Sequence, residues 1–189
     1  MAKYTVILDA CVLYPFTLRS YLMHLSVTGL FRARWTDKIH EEWIENLLID
    51  RPDISREQLQ KTRNFMNSHV PDCLIKGYES LVNGLELPDE NDRHIVAAAI
   101  KGQAESIITF NLDDFPDDVL ENFDLVAIHP DEFLQDMFYI EGSLCVEAAR
   151  EHRLSLKKPP LTTSEYLMHL RTQKLPNFVK CLRQYESSI

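Results

Sequence analysis

The stretch that decides the fold is Tyr4-Thr-Val-Ile-Leu-Asp9-Ala-Cys-Val-Leu-Tyr14. Residues 5–8 are apolar or β-branched, and a single carboxylate, Asp9, follows them directly. A short continuous apolar run indicates a strand that is buried on both faces, as the central strands of parallel sheets are. Ligands of open α/β sheets bind at the carboxyl ends of the strands. We therefore expect Asp9 to be the first ligand of an acidic metal site.

The composition is typical of a globular chain with one main domain and an appendage. It has 189 residues, of which 45% are hydrophobic and 10% are aromatic. No apolar run approaches the roughly 20 residues that a bilayer-spanning helix needs, and the amino terminus lacks the pattern of a secretory signal. The four cysteines form no C-x-x-C pair, which disfavours a zinc knuckle and favours reduced thiols. The sequence predicts a cytoplasmic protein that does not enter a membrane.

Charge is distributed unevenly along the chain. Residues 1–149 hold 12 Lys and Arg against 26 Asp and Glu, a balance of −14, whereas residues 150–189 hold 8 against 3, a balance of +5. A solvated surface explains most of the acidity, and inward carboxylates that need a divalent cation explain the rest. The charge of the basic tail alone makes it a candidate binding surface for a nucleic acid or a protein partner.

The order of the predicted elements indicates an α/β domain followed by helices. Strand-like segments at 5–8, 30–35, 105–109 and 124–128 alternate with helical patterns, which is typical of a parallel sheet. After Pro130 only helical patterns recur, at residues 131–139, 142–153, 163–173 and 176–185. We place the boundary after residue 135. The predicted domains are then 1–135, an α/β domain, and 136–189, a helical and basic C-terminal extension.

Further acidic side chains stand near the ends of predicted elements. They are Glu42 in the helix 37–50, Asp89 and Asp92 before an Ala-rich helix, and Asp113 and Asp114 after the strand that ends at Thr109. Clustered carboxylates raise each other's pKa unless a cation lies among them. Oxygen donors without a Cys or His set suit Mg²⁺ or Mn²⁺ better than Zn²⁺.

Each of these acids also has a purely structural explanation. Glu42 is one of three acids on a solvated helix face, Asp89 and Asp92 are typical helix caps, and Asp113 and Asp114 are typical turn residues. Taken singly, the structural explanation is the better one. Taken together the acids favour a site, because the carboxyl ends of parallel strands meet at one edge of a sheet.

The motifs resemble those of the PIN-domain nucleases. They are Asp9 after an apolar strand, Glu42 in a helix capped by Thr36, Asp92-Arg-His-Ile-Val-Ala-Ala-Ala99, and Ile108-Thr-Phe-Asn-Leu-Asp-Asp-Phe-Pro116. The similarity is closest to the VapC-type toxin branch and covers about residues 3–135. It implies a PIN-like α/β/α sandwich with a central parallel sheet. It also implies an endoribonuclease that depends on Mg²⁺ or Mn²⁺, a cognate antitoxin that occludes the site, and a homodimer.

The resemblance implies a role for each matching residue. Asp9, Glu42, Asp92 and Asp114 form the acidic quartet, and Thr109 and Asn111 support it. Asp9, Asp92 and Asp114 are the implied metal ligands.

One position departs from the pattern of the family. Asn111 stands where many PIN domains have an Asp, so the fourth acid is displaced to Asp114 or to Asp113. Glu41 competes with its neighbour Glu42 for the helical position. Arg19 and Arg93 are candidate phosphate contacts, although a solvated face explains each of them as well.

Two other interpretations remain open at the level of sequence. The chain is then either a PIN-like module that binds RNA or protein without cleaving, or a phosphatase or DNA-directed nuclease with the same metal chemistry. A zinc-protease motif is excluded, because Ile44 stands where the second His of H-E-x-x-H is required.

Overall fold

The computed structural model describes residues 4–189, and its centre is a parallel sheet. The strands are β1 (Thr5–Leu8), β2 (Arg32–Arg34), β3 (Ser106–Ile108) and β4 (Val126–Ile128), in the order β2-β1-β3-β4. Ile7 of β1 pairs with Arg34 on one side and with Ile107 on the other. All four residues of β1 are buried, because the strand is internal in the sheet and helices flank the sheet. The predicted α/β class and parallel sheet are confirmed.

Ten helices accompany the four strands in the described part of the chain. They are α1 (Ala10–Leu13), α2 (Phe16–Val27), α3 (Asp37–Asp50), α4 (Arg56–His69), α5 (Glu79–Val82), α6 (Arg93–Gly102), α7 (Asp117–Leu120), α8 (Pro130–Ser155), α9 (Thr163–Thr172) and α10 (Pro176–Arg183). Short 3₁₀ turns at Glu90–Asp92 and Leu112–Asp114 precede α6 and follow β3.

Local capping determines where several helices begin. The Thr36 hydroxyl accepts a hydrogen bond from the Ile39 amide, and α3 begins at Asp37 as its sequence predicts. Ser55 and Gln58 form a capping box at α4, and Thr162 and Glu165 form another at α9. These caps stabilise the starts of helices by about 1 kcal/mol each.

Gly102 has a different role from the one that its sequence position suggests. The sequence predicts that Gly102 ends the Ala-rich helix, but α6 includes it and the left-handed residue is Gln103, at φ 50°. A side chain at Gly102 would collide with the Ile75 side chain. Glycine therefore allows the helix to approach Ile75 closely at this position, and the left-handed backbone conformation at the helix end falls on Gln103.

The contacts divide the chain into two units. The first unit contains the described residues up to Tyr14 and residues 31–129, and the second contains residues 15–30 and 130–189. This division differs from the predicted domains 1–135 and 136–189 in α2 and in residues 130–135. Residues 1–3 of the first predicted domain lie outside the described residues. An assignment by chain order could not place α2 with helices that follow more than 100 residues later.

The second unit is entirely helical and buries several polar side chains. In α8, Glu141 has non-helical backbone angles (φ −152°, ψ 76°), at the gap between the helices predicted for 131–139 and 142–153. The buried Asp131 carboxylate accepts hydrogen bonds from the backbone amides of Asn177 (3.0 Å) and Phe178 (2.8 Å), which caps α10. Among residues 4–189, no helix has both the length and the apolarity that crossing a bilayer requires.

Candidate metal and catalytic site

Asp9 lies at the carboxyl end of β1 and is 5% exposed. The Thr109 hydroxyl donates a hydrogen bond to Asp9 Oδ2 at 2.7 Å, and the Cys11 thiol donates to the same oxygen at 3.1 Å. Burial raises the pKa of Asp9 and the Glu42 charge raises it further, while the hydrogen bonds from Thr109 and Cys11 lower it. The two donors hold the carboxylate in one orientation at the edge of the sheet.

Asp9 opens into a cavity of about 760 Å³ in the first unit. Its wall contains five carboxylates and five neutral side chains that are polar or carry a thiol, and no Lys or Arg is among the lining residues. The residues that line it are Asp9, Ala10, Cys11, Tyr14, Glu42, Asn46, Asp50, Asp89, Asn91, Asp92 and Asn111. Four of the six predicted or supporting positions therefore share one cavity: Asp9, Glu42, Asp92 and Asn111.

Asp92 is a half-buried acid at the entrance to α6. Burial raises its pKa from 3.8 to about 7, with further contributions from the charges of Asp9, Asp114, Asp89 and Glu42. Its side chain makes no capping hydrogen bond to α6, whereas Asp89 Oδ1 accepts one from the Asn91 amide at 2.8 Å. The capping explanation therefore fits Asp89 and does not account for Asp92.

The structure separates Glu42 from its neighbour Glu41. Glu42 lines the cavity, and its Oε1 lies 2.8 Å from His94 Nε2 and 3.9 Å from Lys38 Nζ. Glu41 instead forms ion pairs with Arg63 at 2.7 Å and with Arg56 at 3.2 Å, both on α4. The geometry therefore favours Glu42 over Glu41 for a role at the site.

The same kind of contrast applies to the two acids of the Leu112–Asp114 turn. Asp114 is half-buried, and its charge raises the pKa of Asp92. Asp113 is exposed and lines a different cavity, together with Leu112, Phe115 and Pro116. The Asn111 amide donates to the Thr109 hydroxyl at 3.0 Å, which links the turn to the residue that orients Asp9. These contacts favour Asp114 as the fourth acid.

The two arginines that are predicted to contact phosphate, Arg19 and Arg93, are both largely buried. Arg93 pairs with Glu90 at 2.9 Å, and its side chain is 24% exposed. Arg19 belongs to the second unit, where it is 6% exposed and burial lowers its pKa to about 10. Nucleic-acid binding by Arg19 and Arg93 stays a prediction that their contacts do not strengthen.

Several cavity residues were not singled out by the sequence. Asn46 and Asp50 follow Glu42 at intervals of four on α3, so helical spacing alone would have placed all three on one face. The Tyr14 hydroxyl donates to Asp50 Oδ2 at 2.6 Å. Cys11 has no comparable signal in the sequence, because a lone cysteine after a strand is usually a small core residue. Burial and the Asp9 charge raise the pKa of its thiol to about 12, so it donates a hydrogen bond.

The cavity fits a divalent cation by its chemistry. Carboxylate and amide oxygens dominate its wall. The pKa values of Asp9 and Asp92 are raised first by burial and further by neighbouring carboxylates, and no Lys or Arg lines the cavity. Such oxygen donors are those that Mg²⁺ and Mn²⁺ prefer. Among residues 4–189, no group of three or more His, Cys, Asp or Glu side chains is already arranged to hold an ion.

Comparison with known proteins assigns the family. A family model described as a PIN domain matches residues 5–113 of the chain. The chain belongs to the PIN-domain family. A second model, described as the VapC50 C-terminal domain, matches residues 130–184, which contain the helices α8, α9 and α10. The parallel sheet flanked by helices is thus the α/β fold of this PIN domain, as the sequence motifs implied.

One curated relative of this PIN-domain protein shares a substantial part of its sequence. It is a protein of Mycobacterium tuberculosis (strain ATCC 25618 / H37Rv) named "Putative ribonuclease VapC50", and it is 36% identical over 112 residues. The match covers 57% of this chain and 63% of the relative, so it spans less than two thirds of that protein. No solved structure matches the chain.

Proposed function

We propose that this PIN-domain protein is a metal-dependent endoribonuclease and the toxin of a type II toxin–antitoxin pair. The observation that carries the proposal is the convergence of Asp9, Glu42 and Asp92 on one cavity at the carboxyl end of β1, with no Lys or Arg in its wall. The family and the name of the relative support a nuclease that acts on RNA. The substrate class is RNA phosphodiesters.

Asp9, Asp92 and Asp114 are the proposed ligands of Mg²⁺ or Mn²⁺. Such an ion polarises a phosphodiester and lowers the pKa of water, which are the two requirements of phosphodiester hydrolysis at neutral pH. The protein's own part is to hold these acids in place. Thr109 and Cys11 fix the Asp9 carboxylate, and Asn111 holds the Thr109 hydroxyl through its backbone amide.

Glu42 has a separate role in this proposal. It projects from α3 rather than from a strand end, and its carboxylate reaches the cavity from a different element than Asp9 and Asp92. A carboxylate there accepts a hydrogen bond from the attacking water and orients it toward the phosphorus. Attack in line with the leaving 3′-oxygen gives a 5′-phosphate and a 3′-hydroxyl.

The proposal includes two protein partners. A cognate antitoxin would occlude the acidic cavity, and a second copy of the chain would complete a homodimer. Both follow from the similarity to the VapC branch. Sedimentation of the purified chain tests the dimer, and a small partner protein that co-purifies and abolishes cleavage tests the antitoxin.

The central experiment measures cleavage of total RNA with Mn²⁺ for the wild type and for Asp9→Asn. We expect Asp9→Asn to lower the rate by at least about 100-fold, because it removes the charge on the most buried acid of the cavity. Asp118→Asn is the matched control, since Asp118 is an exposed aspartate that does not line the cavity. Its rate should stay within about twofold of the wild type, as expected for surface positions.

The same assay decides between the competing functions. Equal rates for wild type and Asp9→Asn, or a folded wild type that cleaves nothing, would contradict the enzyme. RNA binding without cleavage would identify a non-catalytic module. Single-stranded RNA and DNA of one sequence, offered in competition, separate a ribonuclease from a DNA-directed nuclease.

A further inference from the structure

His94 is a buried imidazole in the first unit that the proposed chemistry does not use. It is the second residue of α6, two positions after Asp92, and it is 2% exposed. Its Nε2 lies 2.8 Å from Glu42 Oε1. Neither ring nitrogen makes a well-directed hydrogen bond to another of the residues 4–189. The imidazole thus has one close polar neighbour, a carboxylate of the proposed site.

A second buried histidine of the same unit shows what a purely structural role looks like. His40 on α3 is fully buried, and both of its ring nitrogens are paired. Its Nε2 lies 3.0 Å from Asn67 Oδ1, and its Nδ1 accepts a hydrogen bond from the Trp43 indole at 3.0 Å. Buried polar groups are normally satisfied in this way, because an unpaired one destabilises the fold. His94 lacks this arrangement and faces Glu42 instead.

Glu42 needs a partner that limits its motion. Its other described contact, with Lys38, is 3.9 Å long and involves a lysine side chain that is 49% exposed. An exposed ion pair of that length does not hold a carboxylate in one rotamer. Asp9, in contrast, receives two donors on Oδ2. A buried donor on Glu42 Oε1 would restrict that carboxylate as Thr109 and Cys11 restrict Asp9.

We propose that His94 is the positioning residue of Glu42. The inference rests on the proposed nuclease function. The His94 ring carries a proton on Nε2 and donates it in a hydrogen bond to Glu42 Oε1, which lies 2.8 Å away. His94 acts only through Glu42 and does not contact RNA. It couples α6, which begins beside Asp92, to α3, so that the two acids keep a constant separation.

A double-mutant cycle tests this coupling. We expect His94→Leu to lower kcat by about 10-fold to 100-fold with KM nearly unchanged, as for partners that orient a site residue. His94→Gln should restore most of the rate, because its amide offers a donor near the position of Nε2. In a Glu42→Gln background, His94→Leu should have almost no further effect, since its route of action is gone. His69→Leu, at an exposed histidine of α4, is the matched control.

A spectroscopic measurement keeps the inference independent of activity. In ¹⁵N-histidine-labelled protein, the nitrogen shifts of His94 should identify Nε2 as carrying a proton, and Glu42→Gln should change these shifts while those of His40 stay constant. Unchanged His94 signals in Glu42→Gln, or a His94→Leu effect that is equally large in both backgrounds, would overturn the proposal. If the wild type cleaves no RNA, the proposed function fails, whereas the labelled spectra still decide whether His94 and Glu42 are coupled.

Discussion

Two buried aspartates, one in each unit, show what distinguishes a structural acid from a site acid. Asp131 in the second unit is 4% exposed, and Asp9 in the first is 5% exposed. Asp131 accepts hydrogen bonds from two backbone N–H groups at the start of α10, where a negative charge stabilises the helix. Asp9 accepts from Thr109 and Cys11 but also faces Glu42 and Asp92, whose charges oppose its own. Burial is therefore equal in the two cases, and the neighbouring charges differ.

The buried histidines show the same difference between a structural residue and one that contacts the site. His40 and His152 lie in different units and both are fully buried. Their pKa values are lowered, mainly by burial, to about 4 and about 3 respectively, so both rings are neutral at pH 7. His152 contacts the Tyr166 hydroxyl at 3.0 Å through Nδ1. Each of these rings contributes to the stability of its own unit, whereas His94 contacts an acid of the site.

Acidification should produce the largest change in stability. Since the folded pKa of His40 lies below its unfolded value of about 6.5, its contribution is fully present above pH 6.5 and is lost as pH falls toward 4. The same holds for His152 over a window that extends to about pH 3. We expect each histidine to lower the free energy of unfolding by about 2 kcal/mol when the pH falls from 7 to 5. Urea unfolding at the two pH values measures it.

Single variants separate the contribution of the two histidines to the pH dependence of stability from that of the acids. Asp9 and Asp92 act in the opposite direction, because their raised pKa values make their ionisation destabilising at neutral pH and acid relieves it. His40→Gln and His152→Gln should each reduce the loss of stability between pH 7 and pH 5. A pH slope that neither variant changes would contradict the assignment.

Removal of the two buried aspartates should have opposite effects on stability. Asp131→Ala leaves the Asn177 and Phe178 amides without their acceptor, and we expect a loss of about 2 kcal/mol in the free energy of unfolding. Asp9→Asn removes a charge from an acidic cluster and should leave stability unchanged or raise it in metal-free buffer. Chemical denaturation in the presence of EDTA compares them. A comparable loss in both variants would show that Asp9 is also a structural acid.

Divalent cations should change the stability least, but their effect should differ most clearly between the Asp9 and Asp131 variants. A ligand that binds only the folded state raises its stability, so we expect Mn²⁺ to raise the melting temperature of the wild type by about 2–4 °C. The shift should persist in Asp131→Asn and vanish in Asp9→Asn. Calorimetric scans with Mn²⁺ and with EDTA measure it. An equal shift in all three proteins would place the ion away from the acidic cavity.

Much of the first unit follows from local sequence. The apolar run before Asp9 predicts β1, and α3 and α4 begin and end where Thr36, Ser55 and their spacing indicate. The helix starts depend on hydrogen bonds between residues three or four positions apart, and β1 is recognised by its continuous apolar run, so both can be read from one segment of sequence. The family resemblance then implied candidate roles for the acids. The family match confirms the resemblance, and the roles themselves stay a prediction.

What only the tertiary structure decided depends on residues distant in the chain. Glu41 and Glu42 are adjacent and chemically equal, and they differ because Arg63 and Arg56 on α4 bind the first while His94 on α6 approaches the second. Asp113 and Asp114 are distinguished in the same way, because Asp113 lines a different cavity whereas the charge of Asp114 raises the pKa of Asp92.

Two further outcomes illustrate the physical reason. Gly102 lies in close contact with the Ile75 side chain, 27 positions earlier in the chain, and α2 belongs to the second unit, with helices beyond residue 130. Capping and periodicity are local and can be recognised in one segment at a time. Charge clustering, close approach and burial arise only when separate segments meet. The sequence by itself therefore determined the elements and the candidate acids, and the folded chain decided which acids share a cavity and which are bound elsewhere.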